Sequence, residues 1–570
     1  MSIPLKKRWV VREKITPEID AVLGDYPPVM RQMLYNRKIM DSETAERFLN
    51  GTGSMYDPFL LPDMTLAVDR LWDAVDHQEQ VVVYGDYDVD GVTATVLLVQ
   101  VLQQLGANAR AYIPNRFDEG YGVNNDALDD LAAQGARLVV TVDCGIRSPL
   151  EAQHARQLGL DLIISDHHEP KNELPEALAV ICQKRTGCEY PEKNLAGVGL
   201  AFKIAEAMLK RRAVAGVQLT DWYDLVAVGT VADVVPLSGE NRAMVRAGLK
   251  SLRFGQRQGL LSLAGVADLN LANSTARDIG FVLGPRLNAA GRLESALAAF
   301  DLLMSNDVAT TGPLAQKLDN QNRERQRMTQ ELQALAESQA SLGDDFLLFA
   351  VHPEVVQEKD VRGVVGLVAA RLTETYYRPA VVGAQGEEFT RASCRSIPEF
   401  HITHALDACD SLLVRYGGHA MAAGFTVRNE DLPELAARLR EIALLELGER
   451  DLRPSLKADM VIPLHELRPM LLKELDQLQP TGQDNPDAVF VSTDLQVKSY
   501  KKIGKELQHL RLTVSDKHIT FDAVAFRQGF WADQMPRAVD LAYVFEKNVY
   551  NGRESLQLNV RDIRPAGVSE

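Results

Sequence analysis

Val81–Gly91 reads VVVYGDYDVDG. The run of valines suits a strand buried on both faces, the pattern of a parallel sheet. Asp86, Asp88 and Asp90 follow within five positions. Carboxylates at this spacing repel one another when all are ionised. In an extended segment alternate residues share a face, so the three acids point the same way. Gly91 breaks the run, and VTATVLLVQVLQQL (Val92–Leu105) predicts a mostly buried helix. A divalent cation would give three acids a reason to sit between a buried strand and a buried helix, because hard cations take carboxylate oxygens. The alternative is an Asp-rich turn that caps the helix.

Outward from this stretch, residues 76 to about 300 alternate between strand and helix. Strands are expected at Val81–Asp86, Ala109–Pro114, Arg137–Val142, Leu160–Ser165 and Leu178–Cys182, with helices at Asn124–Gln134 and Pro149–Leu158. This alternation predicts an α/β fold with a doubly wound parallel sheet. Right-handed crossovers gather the carboxyl ends of the strands on one edge, outside which ligands bind. Asp143 (in VDCG) ends one such strand, and Asp166-His167-His168 ends the next. Both are therefore expected to meet Asp86, Asp88 and Asp90. A helix through Asp221–Val231 delivers Asp233 in VGTVADVVPL, as a further ligand or as a local cap. Asp88, Asp90, Asp143, Asp233 and His167 together form the donor set of a paired divalent-metal site. The sequence has neither a Walker loop nor Gly-X-Ser-X-Gly.

The rest of the chain divides by pattern. Residues 1–75 read as an N-terminal helical region, 76–305 as the α/β domain and 306–342 as a long connector helix. Residues 343–452 read as a second α/β domain and 453–570 as a small β-barrel of OB type, with a hairpin turn at Asn551-Gly552. The barrel segment carries KSYKKIGKELQHLRL, in which Tyr500, Lys501, Lys502 and Lys505 offer the aromatic and basic groups of a single-strand groove. A solvated basic loop is the plainer reading. His419, flanked by glycines in YGGHAMAAG, is either near a ligand or a hydrogen-bonded core histidine.

At 570 residues with a net charge of −16, the chain is long enough for several domains and too acidic for indiscriminate binding of polyanions. Its five scattered cysteines include no CxxC pair, which fits reduced thiols in a cytoplasm. No secretory signal and no apolar run of transmembrane length is legible.

DYDVDG, VDCG, SDHH and VADVVPL, in this order, resemble the signature segments of the DHH phosphoesterase superfamily. YGGHAMAAG resembles the nucleic-acid-binding motif of the associated DHHA1 domain. With the C-terminal β domain, the likeness is to the superfamily's single-strand-specific exonucleases. It implies a doubly wound DHH domain, a connector helix, a DHHA1 domain and an OB-like barrel. It also implies 5′→3′ hydrolysis of single-stranded DNA to 5′-mononucleotides, in recombination, repair and mismatch repair, with Mn²⁺ or Mg²⁺ at a two-ion site.

By resemblance, Asp88, Asp90, Asp143, His167 and Asp233 are the metal ligands and Asp143 is the bridge. Asp86 and His168 support catalysis, or His168 contacts the scissile phosphate. Arg116, Arg286 or Arg292, Ser393, Arg395 and His419 face DNA. Ser393 and Arg395, helped by Arg116, are expected to sense the 5′ end, because arginine grips phosphate bidentately. The implied partners are a single strand with a free 5′ end, a single-stranded-DNA-binding protein, and a helicase or other recombination factors; the implied state is a monomer away from membranes. One departure concerns Tyr84, which stands where small-molecule phosphatases of the superfamily often place a histidine. That implies a weaker hold on the first ion or a need for added manganese. Two other functions compete: a small phosphodiesterase or pyrophosphatase, and a non-catalytic DNA-binding scaffold.

Overall fold

The computed structural model describes residues 5–51, 55–115, 119–120, 122–171, 173–339, 345–356, 359–550 and 553–567. It divides into two compact units. One contains Asp41–Arg323 and Asp476–Asp487; the other contains Met1–Met40, Glu324–Leu475 and Ala488–Glu570.

The first unit is built on a wholly parallel sheet. Its strands lie in the order Asn108–Tyr112, Gln80–Gly85, Leu138–Val142, Asp161–Ser165, Ala179–Ile181. Alternate residues of the central strands feed two cores. Val81, Val83, Leu138 and Val140 pack with the helices Val89–Gln104, Gly197–Arg211 and Tyr223–Ala232. Val82, Tyr84, Val139 and Ile164 pack with Asn125–Ala133 and Pro149–Gln157. Burial on both faces explains why these strands read as unbroken apolar runs. The strand order reverses between Gln80–Gly85 and Leu138–Val142, so a crevice opens beyond their carboxyl ends.

Residues 476–487 were expected in the C-terminal domain but cluster with the first unit. The cause is Arg242, buried in the helix Gly239–Phe254 and lying over the Phe48 ring at 3.9 Å. Its guanidinium donates to the carbonyls of Phe48, Gln477, Leu478, Gln479 and Pro480 at 2.9–3.0 Å. A planar cation with five donors can close such a cage, and nothing in the local sequence announces it.

The second unit carries a mixed sheet in the order Leu413–His419, Ala422–Arg428, Phe389–Arg395, Ala380–Gln385, Leu348–Pro353, with only the last pair parallel. Its C-terminal part is a barrel. Val489–Ile503, His509–Ser515, Thr520–Ala525, Arg553–Pro565 and Ala538–Tyr550 pair in that order, and the last pairs back to the first. Closure leaves the barrel without an edge, as in OB-type folds. Asn551 and Gly552 lie outside the described residues; the strands that flank them pair up to Tyr550 and Arg553.

The N-terminal expectation needs correction. Arg8–Val11 is a strand, parallel to Ser455–Ala458, and Trp9 Nε1 donates to Asp562 Oδ2 at 2.7 Å. Met1–Met40 therefore belongs with the C-terminal parts of the chain and not with the region that follows it. Pro17–Val22, Pro28–Asn36 and Ser42–Asn50 are helices, as expected of this region, and Val308–Gln339 is one long helix.

Replacing Arg242 by Met removes every donor of the carbonyl cage. We expect unfolding free energy of the first unit to fall by at least about 3 kcal/mol, since hydrogen bonds to a charged donor contribute roughly 1.5–3 kcal/mol each. Residues 476–487 should become protease-sensitive at the same time. Native-like denaturation and proteolysis would show that the cage does not hold the segment.

Candidate metal centre

The strand Gln80–Gly85 stops before the acids, and this corrects the picture of three aspartates on one extended face. Asp88 is instead the N-cap of Val89–Gln104: its Oδ1 accepts the N–H groups of Asp90 and Gly91 at 3.0 and 3.1 Å. Capping bends the chain so that Asp90 enters the first turn of the helix. There Asp90 meets a second helix N-terminus, accepting from Gly197 N at 2.6 Å and Val198 N at 2.9 Å. Oriented N–H groups and the helix dipole favour a carboxylate at both places. Gly91 is required by closeness, since a Cβ there would lie 2.5 Å from Asp86 O.

Asp143 follows Leu138–Val142 with φ of 63°, a left-handed conformation uncommon outside glycine. Gly197 packs directly on its side chain, where a Cβ would stand 2.6 Å from Asp143 Cβ. Asp166, His167 and His168 follow Asp161–Ser165, and Asp233 caps the end of Tyr223–Ala232. Asp86, Asp88 and Asp143 have ligand atoms within 4.8 Å of one another; so do Asp90, His167 and Asp233, and so do Asp143, His167 and His168. The acids and histidines expected to meet do meet, and Asp143 belongs to two of the three groups.

His167 Nε2 lies 3.1 Å from Asp143 Oδ1, 3.5 Å from Asp233 Oδ2 and 3.9 Å from Asp90 Oδ2. Burial, then the charge of His168, pushes His167 down to about 3, so its ring is neutral. A hydrogen bond to the Leu195 backbone leaves Nε2 as the nitrogen that faces the acids. Burial raises Asp90 to about 7, with Asp88 adding to the effect, and raises Asp233 to about 9, with Asp90 and Asp88 adding. Asp143 is raised well above the carboxylate range by burial and by Asp90. Asp166 differs. Burial opposes its charge, but bonds from the His168 ring and backbone and from Ile146 N–H hold it low, and it in turn raises His168.

This donor set fits a pair of hard or borderline divalent cations. Asp143 Oδ1 and His167 Nε2 are buried acceptors with no hydrogen-bond partner among the described residues. Carboxylate oxygens with one imidazole are ligands for Mn²⁺ or Mg²⁺, and no thiol is among them. Tyr84 takes no part: its hydroxyl donates to Gly122 O at 3.0 Å and accepts from Asn124 at 3.2 Å, within the opposite core.

The expected DNA-facing residues separate. Arg116 lies outside the described residues. Arg286 is held by Asp319 at 2.9 Å and by Val282 O, which makes it a brace, while Arg292 sits in the last turn of Gly284–Leu293. Ser393 and Arg395 lie on one face of Phe389–Arg395 and both border Gly366, at the start of Val365–Tyr376. Arg391 instead pairs with Glu354 at 3.3 Å. His419 is exposed on its strand, so it is not a core histidine. Tyr500, Lys501 and Lys505 are exposed, and Lys502 pairs with Asp533 at 2.8 Å. Sequence reasoning missed Gly197 and Val198; the glycines of AGVG before an apolar helix were the signal available.

Comparison with known proteins agrees with this geometry. Residues 80–230 match the DHH family, N-terminal domain; 348–444 match the DHHA1 domain; 458–562 match the RecJ OB domain. The single-stranded-DNA-specific exonuclease RecJ of Bacillus subtilis (strain 168) is 37% identical over 576 residues, spanning 99% of this chain and 71% of that one. The crystal structure of RecJ from Thermus thermophilus in complex with Mn²⁺ superposes with a TM-score of 0.84 at 28% identity, covering 99% of this chain and 80% of that one. Its Mg²⁺ complex gives 0.79 at 28% identity, covering 98% and 79%.

The raised carboxyls set a pH dependence. Without metal, the folded chain keeps protons that the unfolded chain releases above the ordinary value of 3.8, so stability falls as pH rises. For Asp90 the loss accrues from there to about 7 and stays in full above it. We expect the metal-free protein to melt at lower temperature at pH 8 than at pH 5.5, with Asp90→Asn reducing the difference. Mn²⁺ should raise the melting temperature more at pH 8, where its ligands are deprotonated. A pH slope unchanged in Asp90→Asn would contradict the assignment.

Proposed function

Because the chain belongs to the RecJ family of single-stranded-DNA-specific exonucleases, we propose that it hydrolyses single-stranded DNA from the 5′ end and releases 5′-mononucleotides. The observation that carries the reading is the convergence of Asp88, Asp90, Asp143, His167 and Asp233 at the strand ends, with unpartnered acceptors facing one another. These five residues would hold two divalent ions, Mn²⁺ or Mg²⁺, with Asp143 shared. Bound there, the ions supply Lewis-acid polarisation of the phosphate and water of lowered pKa.

The chain's own residues do the rest. Asp88 and Asp90 are fixed by helix N-termini, so little reorganisation accompanies the reaction. His168, whose hold on a proton is strengthened by its hydrogen bond to Asp166, contacts the scissile phosphate or gives a proton to the departing 3′ oxygen. Ser393 and Arg395 bind the 5′-terminal phosphate beside the N-terminus of Val365–Tyr376, which adds its own N–H groups. Arg292, Arg116 and His419 follow the strand. Tyr500 with Lys501, Lys502 and Lys505 holds DNA on the barrel by stacking and phosphate contacts. The enzyme works as a cytoplasmic monomer with a single-stranded-DNA-binding protein and a helicase or other recombination factors. No helix among the described residues is long and apolar enough to cross a membrane.

End-labelled substrates test the reading. With Mn²⁺, linear single strands should be degraded from the 5′ end, while circles and blunt duplexes resist. Arg395→Ala should lower kcat/KM on 5′-phosphorylated strands by roughly 10-fold or more, as loss of a charged hydrogen bond predicts. The loss on 5′-hydroxyl strands should be smaller. Rapid cutting of circles would exclude the exonuclease reading, and equal losses on both ends would exclude the end-sensing role.

A further inference from the structure

The helix Gly284–Leu293 supplies no ligand to the metal cluster, yet it touches the acid-bearing turn twice. Asn288 Oδ1 accepts the Val89 N–H at 3.2 Å. Val89 is the first residue of its helix, and that N–H is one of those a helix start leaves without an internal partner. One turn further on, Gly291 lies against the other flank of the same turn: a Cβ there would stand 2.6 Å from Tyr87 O. Asp88 is the residue between Tyr87 and Val89. Asn288 and Gly291, three apart, present one face of their helix to it.

We infer that Asn288 is a positioning residue for the metal centre, with Gly291 giving its helix the close approach that this needs. Asp88 caps its helix through Oδ1, so the placement of its carboxylate follows the placement of the Tyr87–Val89 backbone. Asn288 fixes that backbone from outside the cluster. The helix that carries Asn288 is itself anchored. Arg286 Nε donates to Asp319 Oδ1 at 2.9 Å, and Asp319 is completely buried and also meets Arg323 at 2.7 Å. An amide suits the role, because it accepts the N–H without adding a charge to a cluster already rich in carboxylates. The inference rests on the metal-centre reading and extends it to a residue that touches neither ion nor substrate.

Mn²⁺ titration of the full-length metal-free protein, followed by the electron paramagnetic resonance of free Mn²⁺, tests it. Melting temperature and single-strand affinity in EDTA are measured alongside. Asn288→Ala should weaken Mn²⁺ binding by ~10-fold or more, the usual effect of losing a group that orients a ligand. The two metal-free measurements should change little. Native-like Mn²⁺ affinity in Asn288→Ala would overturn the inference. If Asn288→Ala does not melt cooperatively, Gly291→Ala carries the same expectation, and native-like affinity there would overturn it too. Absence of Mn²⁺ binding by the native chain would overturn the metal-centre reading itself, and this inference with it.

Discussion

Four buried or half-buried carboxylates face one neutral imidazole at the end of a parallel sheet, and the rest of the first unit is arranged to keep them there. Two helix N-termini carry much of the load. Val89–Gln104 is capped by Asp88, and Gly197–Arg211 directs two N–H groups at Asp90. Such interactions contribute roughly 0.3–2 kcal/mol each. Desolvating a charge costs several kcal/mol. The N-termini therefore orient the acids without neutralising them, and the remainder appears as carboxyls raised to about 7 and about 9 for Asp90 and Asp233. Divalent cations are the species whose charge closes that gap. Asp166 is the contrast within the same site, since its partner is a histidine of the chain and it stays ionised.

The competing functions fare differently against these observations. A non-catalytic scaffold would have no need of a complete ligand set, and here the full set converges. A phosphodiesterase for small substrates would not need an exposed tyrosine flanked by lysines on a closed barrel, nor a serine and an arginine beside a helix start in the DHHA1 region. Membership in the RecJ family agrees with both points.

Much of the metal unit was legible in the sequence, because parallel strands buried on both faces leave unbroken apolar runs and their ends carry the acids. The two readings of Asp86, Asp88 and Asp90, a cation site and a helix-capping turn, are compatible: Asp88 caps a helix and also joins the cluster. What stayed hidden depends on distant pairing. Nothing near Arg8–Val11 indicates that Ser455–Ala458 will lie beside it, and Arg242 gives no local sign of the carbonyls it gathers. Gly197 is hidden for another reason. AGVG marks a glycine before a helix, but the room that Gly197 leaves for Asp143 is a property of contact. Arg286 and Arg292 look equivalent in GPRLNAAGR; the pairing of Arg286 with the buried Asp319 is a contact that no local pattern announces.

The proposed occupancy of this cluster is two divalent ions with Asp143 between them. Anomalous diffraction from crystals of the protein grown with Mn²⁺ measures this directly. Two anomalous peaks are expected within the cluster, both beside Asp143, with their loss or reduction to one in Asp143→Ala. A single peak in the native protein, or two peaks that persist unchanged without Asp143, would contradict it.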